Sequence, residues 1–72
     1  MKPVTANTSG WVELHAGNNL ARIVHNGNLI LSDAPGTSTN ATVTNGLSVF
    51  LPVGKATYVQ ASGANVTIQV IE

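Results

Sequence analysis

The side chains that could do chemistry are few and scattered. The chain has two histidines, three acids and three bases, which are His15, His25, Glu13, Asp33, Glu72, Lys2, Lys55 and Arg22. A serine nucleophile needs a histidine, a carboxylate and an oxyanion hole, and no Gly-x-Ser-x-Gly occurs. Glycoside hydrolysis needs two free carboxylates. Glu13 is expected to pair with Arg22 and Glu72 ends the chain, so we predict no catalytic residue and no enzyme.

Metal, phosphate and cofactor sites are not predicted either. The candidate metal ligands are His15, His25 and Asp33, but the two histidines lie near opposite ends of the first predicted hairpin, about 16 Å apart along the strand, which is too far for one ion. Cysteine is absent. The segment Gly54-Lys55-Ala56-Thr57 superficially resembles a phosphate loop but lacks the upstream glycine and the following helix. It is interpreted as a turn, and no cofactor is expected.

Charge and aromatic content argue against nucleic acid and membrane partners. Three Lys and Arg balance three Asp and Glu, and only 8% of the residues are charged, against roughly 25% in an average soluble domain. A nucleic-acid surface needs clustered cations and aromatics. No run approaches the ~20 apolar residues of a membrane span, and no secretory signal is predicted at the N-terminus.

Trp11 or Tyr58 could stack on a sugar; alternatively, Trp11 packs in a core or an interface.

The elements that must position these residues are predicted to be strands. Val, Thr, Ile, Asn and Gly dominate, and turn signals recur every eight to twelve residues, which is typical of all-β domains. Three dipeptides, Asn26-Gly27, Asn45-Gly46 and Ser62-Gly63, favour tight hairpins. We predict a small antiparallel β-sandwich or barrel of about seven short strands joined by tight hairpins. Residues 11–72 form this single β domain, and residues 1–10 form an N-terminal arm that is flexible or makes contacts. The strands are expected at Trp11–His15, Leu20–His25, Asn28–Ser32, Ala41–Thr44, Leu47–Leu51, Thr57–Ala61 and Ala64–Ile71.

Those turns imply specific cross-strand neighbours. The expected pairs are Glu13 with Arg22, Val24 with Leu29, Ile23 with Ile30, and Val59 with Val66, the last face continuing through Ile68 and Val70. Apolar residues then fall on both faces of the first sheet, with Val12, Ile23 and Ile30 on one and Trp11, Val24 and Leu29 on the other. Either another subunit or a larger surface covers the second face, or a curved barrel mixes the faces.

One long loop and the small size complete the prediction. Residues 33–40 form a contact arm or a surface loop, with Pro35-Gly36 suited to a type II turn. A chain of 72 residues without cysteine is marginal as a lone monomer, so association with a partner is expected.

The C-terminal stretch from Lys55 to Val70 resembles segments of small bacteriophage structural proteins, as does the Thr-, Asn-, Gly- and Val-rich, charge-poor character of the whole chain. The nearest class is the small all-β head-decoration (cement) proteins. The resemblance implies a non-enzymatic virion protein that binds the major capsid protein of an assembled head and associates with itself, with a trimer expected. That class has no shared site motif, so the expected interface residues come from the second face and the aromatic content: Trp11, Val24, Leu29 and Phe50. A phage tail or fibre component and a small carbohydrate-binding module remain the alternatives.

Overall fold

Eight strands make up the domain in a computed structural model that describes residues 2–34, 40–44, 46 and 48–72, without the side chains of residues 40 and 41. The strands are β1 (Lys2–Ala6), β2 (Val12–His15), β3 (Ala21–His25), β4 (Leu29–Ser32), β5 (Asn40–Val43), β6 (Phe50–Leu51), β7 (Thr57–Ala61) and β8 (Val66–Ile71). Seven of them lie within or close to the predicted strands. The eighth is β1, which falls within the expected N-terminal arm and pairs with β8 along its whole length.

The strands form two four-stranded antiparallel sheets, which confirms the all-β class. Sheet A has the order β1-β8-β3-β6 and sheet B the order β2-β7-β4-β5. This is the strand order of a jelly roll, an eight-stranded sandwich built from Greek keys. Within the described ranges no helix is long and apolar enough to cross a membrane.

The register shows that the described strands are arranged as one long hairpin. Partner numbers add up to 72 in β1 with β8 (2 + 70), in β3 with β6 (21 + 51) and in β4 with β5 (29 + 43). In β2 with β7 the sum changes from 71 (12 + 59) to 72 (15 + 57) across a bulge. Strands β1 to β4 therefore pair in turn with β8, β7, β6 and β5. This two-stranded ribbon folds over on itself, which brings β8 beside β3 and β7 beside β4.

The predicted tight hairpins are wrong as pairings. Strands β2 and β3, β3 and β4, and β7 and β8 are consecutive in the chain but lie in opposite sheets, so the turns between them carry the chain across the sandwich. Glu13 pairs with Tyr58 and not with Arg22, and Val59 pairs with Val12 and Leu31 and not with Val66. The remaining expected pairs, Val24 with Leu29 and Ile23 with Ile30, also join residues of different sheets. Asn45 and the turn at Pro35-Gly36 lie outside the described residues.

A local turn signal could not distinguish a hairpin from a crossing, because both reverse the chain within a few residues. Gly27 shows what the crossing requires. A Cβ on this residue would lie 2.4 Å from Cγ2 of Val66, the first residue of β8. Glycine is needed here for close approach of backbone to side chain, and not for a two-residue hairpin.

The hydrophobic core lies between the sheets, and among the described residues its apolar side chains are all aliphatic. Its largest fully buried side chains are Leu14, Ile23, Leu29, Leu51, Ile68, Val59 and Val70. The predicted shared face of Val66, Ile68 and Val70 does point into this core. The predicted division of the first sheet is wrong, since Ile23 and Leu29 both point inward, whereas Val24 is exposed.

Candidate functional site

The three aromatic residues of the chain all lie outside the core. Phe50 is 68% exposed, and Trp11 and Tyr58 are partly buried. Aromatic side chains normally supply much of the buried apolar area of a small domain. Because none of them lies in this core, the aromatic side chains are candidates for contacts at the surface. Phe50 belongs to sheet A and Tyr58 to sheet B.

One apolar surface lies at the β6 edge of sheet A. The large hydrophobic residues that are most exposed in the described chain are Leu20 (60%), Val24 (44%), Phe50 (68%) and Val53 (58%). Val24 and Phe50 lie on the neighbouring strands β3 and β6, Leu20 and Val53 lie just outside these strands, and Leu20 and Phe50 line the same cleft. We call these four residues the β6 surface. Exposed apolar residues gathered in one place mark interaction sites more often than residues scattered singly.

The backbone of Phe50 is directed away from the sheet. The amide of Ile23 donates to the carbonyl oxygen of Val49 at 3.1 Å, so these two residues form a hydrogen-bonded pair. Hydrogen-bonded and non-hydrogen-bonded pairs alternate along antiparallel strands. Arg22 and Phe50 are the next pair and belong to the second kind. The N–H and C=O of Phe50 therefore face the open edge of sheet A.

Two shallow clefts flank Phe50. The larger, about 240 Å³, is lined mainly by apolar side chains of β4, β6 and the segment after β6, with Asp33 and Lys55 as its charged residues. The smaller, about 200 Å³, lies between Leu20, Phe50 and Ile71 and includes Arg22 and Glu72. Small-molecule pockets usually measure roughly 300–1,000 Å³. Both clefts are below that range and suit single side chains of a partner better than a whole ligand.

A second aromatic surface lies on the outer face of sheet B. Glu13 pairs with Tyr58, and both side chains point outward while Val59 is buried. Because side chains alternate along a strand, Trp11, two residues before Glu13, is placed on the same side. Continuing the β2 register by one residue before Val12 would set Trp11 diagonal to Tyr58 on this face, where a flat ligand could lie across both rings.

The loop that leads to Trp11 is held by an asparagine. The Asn7 Oδ1 accepts hydrogen bonds from the amides of Ser9 at 3.1 Å and Gly10 at 2.9 Å, which is an Asx-turn. The backbone of Asn7 accepts from the amide of Ala61 at 2.8 Å, and the Gln60 Nε2 donates to the carbonyl of Thr8 at 3.2 Å. These bonds hold residues 7–10, the loop that precedes Trp11.

The histidines have structural partners and do not form a site together. The amide of Gly17 donates to Nδ1 of His15 at 3.2 Å, so the proton is on Nε2, which donates to a Glu72 carboxylate oxygen at 3.0 Å. His25 donates from Nδ1 to the carbonyl of Gly27 at 2.7 Å. The described residues contain no group of three His, Cys, Asp or Glu that could hold a metal ion.

The bulge in β2 explains why His15 is buried. Between Glu13 and His15 the strand advances two residues while β7 advances only one, from Tyr58 to Thr57. A bulge inserts one extra residue and re-aims the side chains around it. Leu14 and His15 consequently both face the interior, a feature that strict alternation in the sequence does not predict.

The four expected interface residues do not form one surface. Val24 and Phe50 are exposed on sheet A, whereas Trp11 belongs to the outer side of sheet B. Leu29 has 0% exposure, so it cannot line a contact on the surface of the domain. Sequence reasoning missed Leu20 and Val53, although each is a large apolar residue next to a predicted turn, which is the signal that could have found them.

Comparison with known proteins gives no matching family model, no significantly similar curated protein and no significantly similar solved structure.

Proposed function

We propose that the protein is a non-enzymatic subunit of a phage virion that decorates and stabilises an assembled head. The observation that carries the proposal is the β6 surface, where apolar side chains stand exposed on a chain of net charge zero. Binding of such a surface to another protein removes apolar area from water, which is favourable, and it buries little charge. Two-sheet jelly rolls are also found among viral capsid domains, which supports the proposal by analogy of fold.

Binding to heads tests this function directly. The probe is expanded, DNA-free heads of a tailed phage stripped of their own decoration protein. We expect co-sedimentation that saturates at a fixed number of copies for each capsomer. Phe50→Lys should weaken binding about ten-fold or more, whereas Thr67→Lys, which adds the same charge on an exposed position of the central strand β8, should bind normally. Absence of saturable binding would contradict the proposal, and binding to tails alone would favour the tail or fibre alternative.

The second candidate function is carbohydrate binding on sheet B. The diagonal placement of Trp11 and Tyr58 favours it, because two rings on one face offer apolar area to a sugar while the nearby Gln60 can form hydrogen bonds. A glycan array should then give binding that Trp11→Ala and Tyr58→Ala each abolish. Phe50→Ala is the matched control, since it removes an aromatic ring from the opposite sheet. An array without reproducible ligands would eliminate this candidate.

A further inference from the structure

We infer that the β6 edge joins two copies of this chain about a twofold axis at Phe50, extending sheet A into a continuous eight-stranded sheet. This inference rests on the proposed virion function, for which the resemblance implies self-association; it proposes a dimer in place of the expected trimer and names the surface and the symmetry. It depends on three features of the described residues: the direction of the Phe50 backbone, the exposed side chain of Phe50, and the charge balance around it.

The backbone geometry fits a twofold axis. The amide and carbonyl of Phe50 both face the open edge, as the hydrogen bond between Ile23 and Val49 requires. A residue with this orientation can exchange both hydrogen bonds with its own copy across an antiparallel pair. The two bonds are related by symmetry, and each is donated by one Phe50 amide to the carbonyl of the other. An isologous interface needs such self-complementarity, whereas binding of an unrelated strand does not.

The next residue that faces the edge limits the length of the pairing. Pro52 lies two positions beyond Phe50 and so has the same orientation, but proline has no N–H. Short strands and prolines are the means by which sheet edges avoid open-ended association. The pairing at β6 therefore stays short and closes as a dimer.

The side chains around the axis are compatible with a second copy. The two Phe50 rings would lie directly opposite each other on one face of the joined sheet. The Arg22 side chains would be separated by three strand spacings, about 14 Å, beyond the screening length of about 8 Å at physiological ionic strength. Each cleft beside Phe50 carries one acid and one base, Asp33 with Lys55 and Arg22 with Glu72. A surface with balanced charge does not repel its own copy.

The test is the mass of the full chain in solution over a wide range of concentration. Sedimentation equilibrium should show reversible association that ends at a dimer. Phe50→Lys places two like charges at the axis and should give a monomer at every concentration, while Thr67→Lys should dimerise as the unchanged protein does. Because Phe50 is 68% exposed, its replacement leaves the core intact, and circular dichroism confirms the fold of each variant.

Amide hydrogen exchange supplies a second, site-specific readout. The Phe50 amide should exchange rapidly at low concentration and become protected as the dimer forms, whereas the amides of β8 stay protected throughout. A monomer at millimolar concentration, a dimer that survives Phe50→Lys, or an unprotected Phe50 amide in the dimer would each overturn the inference.

The outcomes for this surface and for the proposed function are separate. A trimer would overturn the twofold pairing and leave self-association standing. A monomer that still binds phage heads would overturn the inference alone, and a dimer that ignores heads would overturn the head-decoration function alone.

Discussion

At the scale of single residues, the corner between β2 and β3 depends on close approach of two loops. Gly17 has a φ of 88°, and a Cβ on it would lie 2.2 Å from the carbonyl oxygen of Lys55. The carbonyl of Gly17 accepts a hydrogen bond from the amide of Gly54 at 2.9 Å, and its own amide donates to His15. One glycine therefore joins the two halves of the chain at this corner and orients the histidine that binds Glu72.

A pair of alanine substitutions separates steric contact from backbone strain. Gly17→Ala should lower the free energy of unfolding by about 3 kcal/mol or more, because the Cβ displaces the backbone of Lys55 as well as requiring a positive φ. Gly54→Ala has a similar φ of 95° with nothing within 4 Å of the added Cβ and should cost only about 1–2 kcal/mol. Urea denaturation measures both values. Equal losses would show that the loops at this corner do not approach as closely as described.

At the scale of the elements, the pairing of β1 with β8 is the feature that most separates this fold from a series of hairpins. Thr5 pairs with Thr67, 62 positions along the chain, and both side chains are exposed. In the hairpin arrangement, Glu13 would instead lie opposite Arg22. The structure therefore places Thr5 beside Thr67 and separates Glu13 from Arg22, whereas the predicted hairpins place Glu13 beside Arg22.

Engineered disulfides distinguish the two arrangements. Thr5→Cys with Thr67→Cys should oxidise within one chain and stabilise the protein by about 4 kcal/mol, the entropic estimate for a loop of this length. Glu13→Cys with Arg22→Cys should remain reduced as a monomer, because these residues lie in opposite sheets. Mass spectrometry and the melting temperature with and without reductant measure both outcomes. A bond in the second pair and none in the first would refute the strand order.

At the scale of the whole molecule, the long-hairpin register determines how far apart in sequence each pairing lies. Ser32 and Asn40 are eight positions apart, whereas Lys2 and Val70 are 68 positions apart. Closing the longer loop costs about 2 kcal/mol more when it is closed independently. The inner pair β4 and β5 is therefore expected to form first. Each outer pair then has to close only the short segments that separate it from the strands already paired.

Folding kinetics test this order. Val43→Ala, in the core of β5, should mainly slow folding, with a φ-value above about 0.5. Val4→Ala, in β1 and packed against the same core, should mainly accelerate unfolding, with a φ-value near zero. Stopped-flow measurements over a range of urea concentrations give the folding and unfolding rates of each variant. The reverse pattern would place the nucleus at the paired termini.

The strands themselves were determined by the local sequence. β7 lies at the predicted Thr57–Ala61, and its alternating burial follows from the small and apolar residues at every second position. Glycine at the corners and the absence of helical periodicity were likewise readable along the chain. These properties depend on each residue and its immediate neighbours, so the sequence alone predicted the fold class and most strand positions.

The pairing, the surfaces and the position of the aromatics were decided by tertiary structure. Asn26-Gly27 and Ser62-Gly63 reverse the chain in either arrangement, and only the burial of two complete sheet faces against each other selects the crossing over the hairpin. The same selection buries Leu29 and leaves Phe50 exposed, although both are apolar residues in predicted strands. Which side of a strand faces the core depends on partners up to 68 positions away, and local residue patterns do not contain that information.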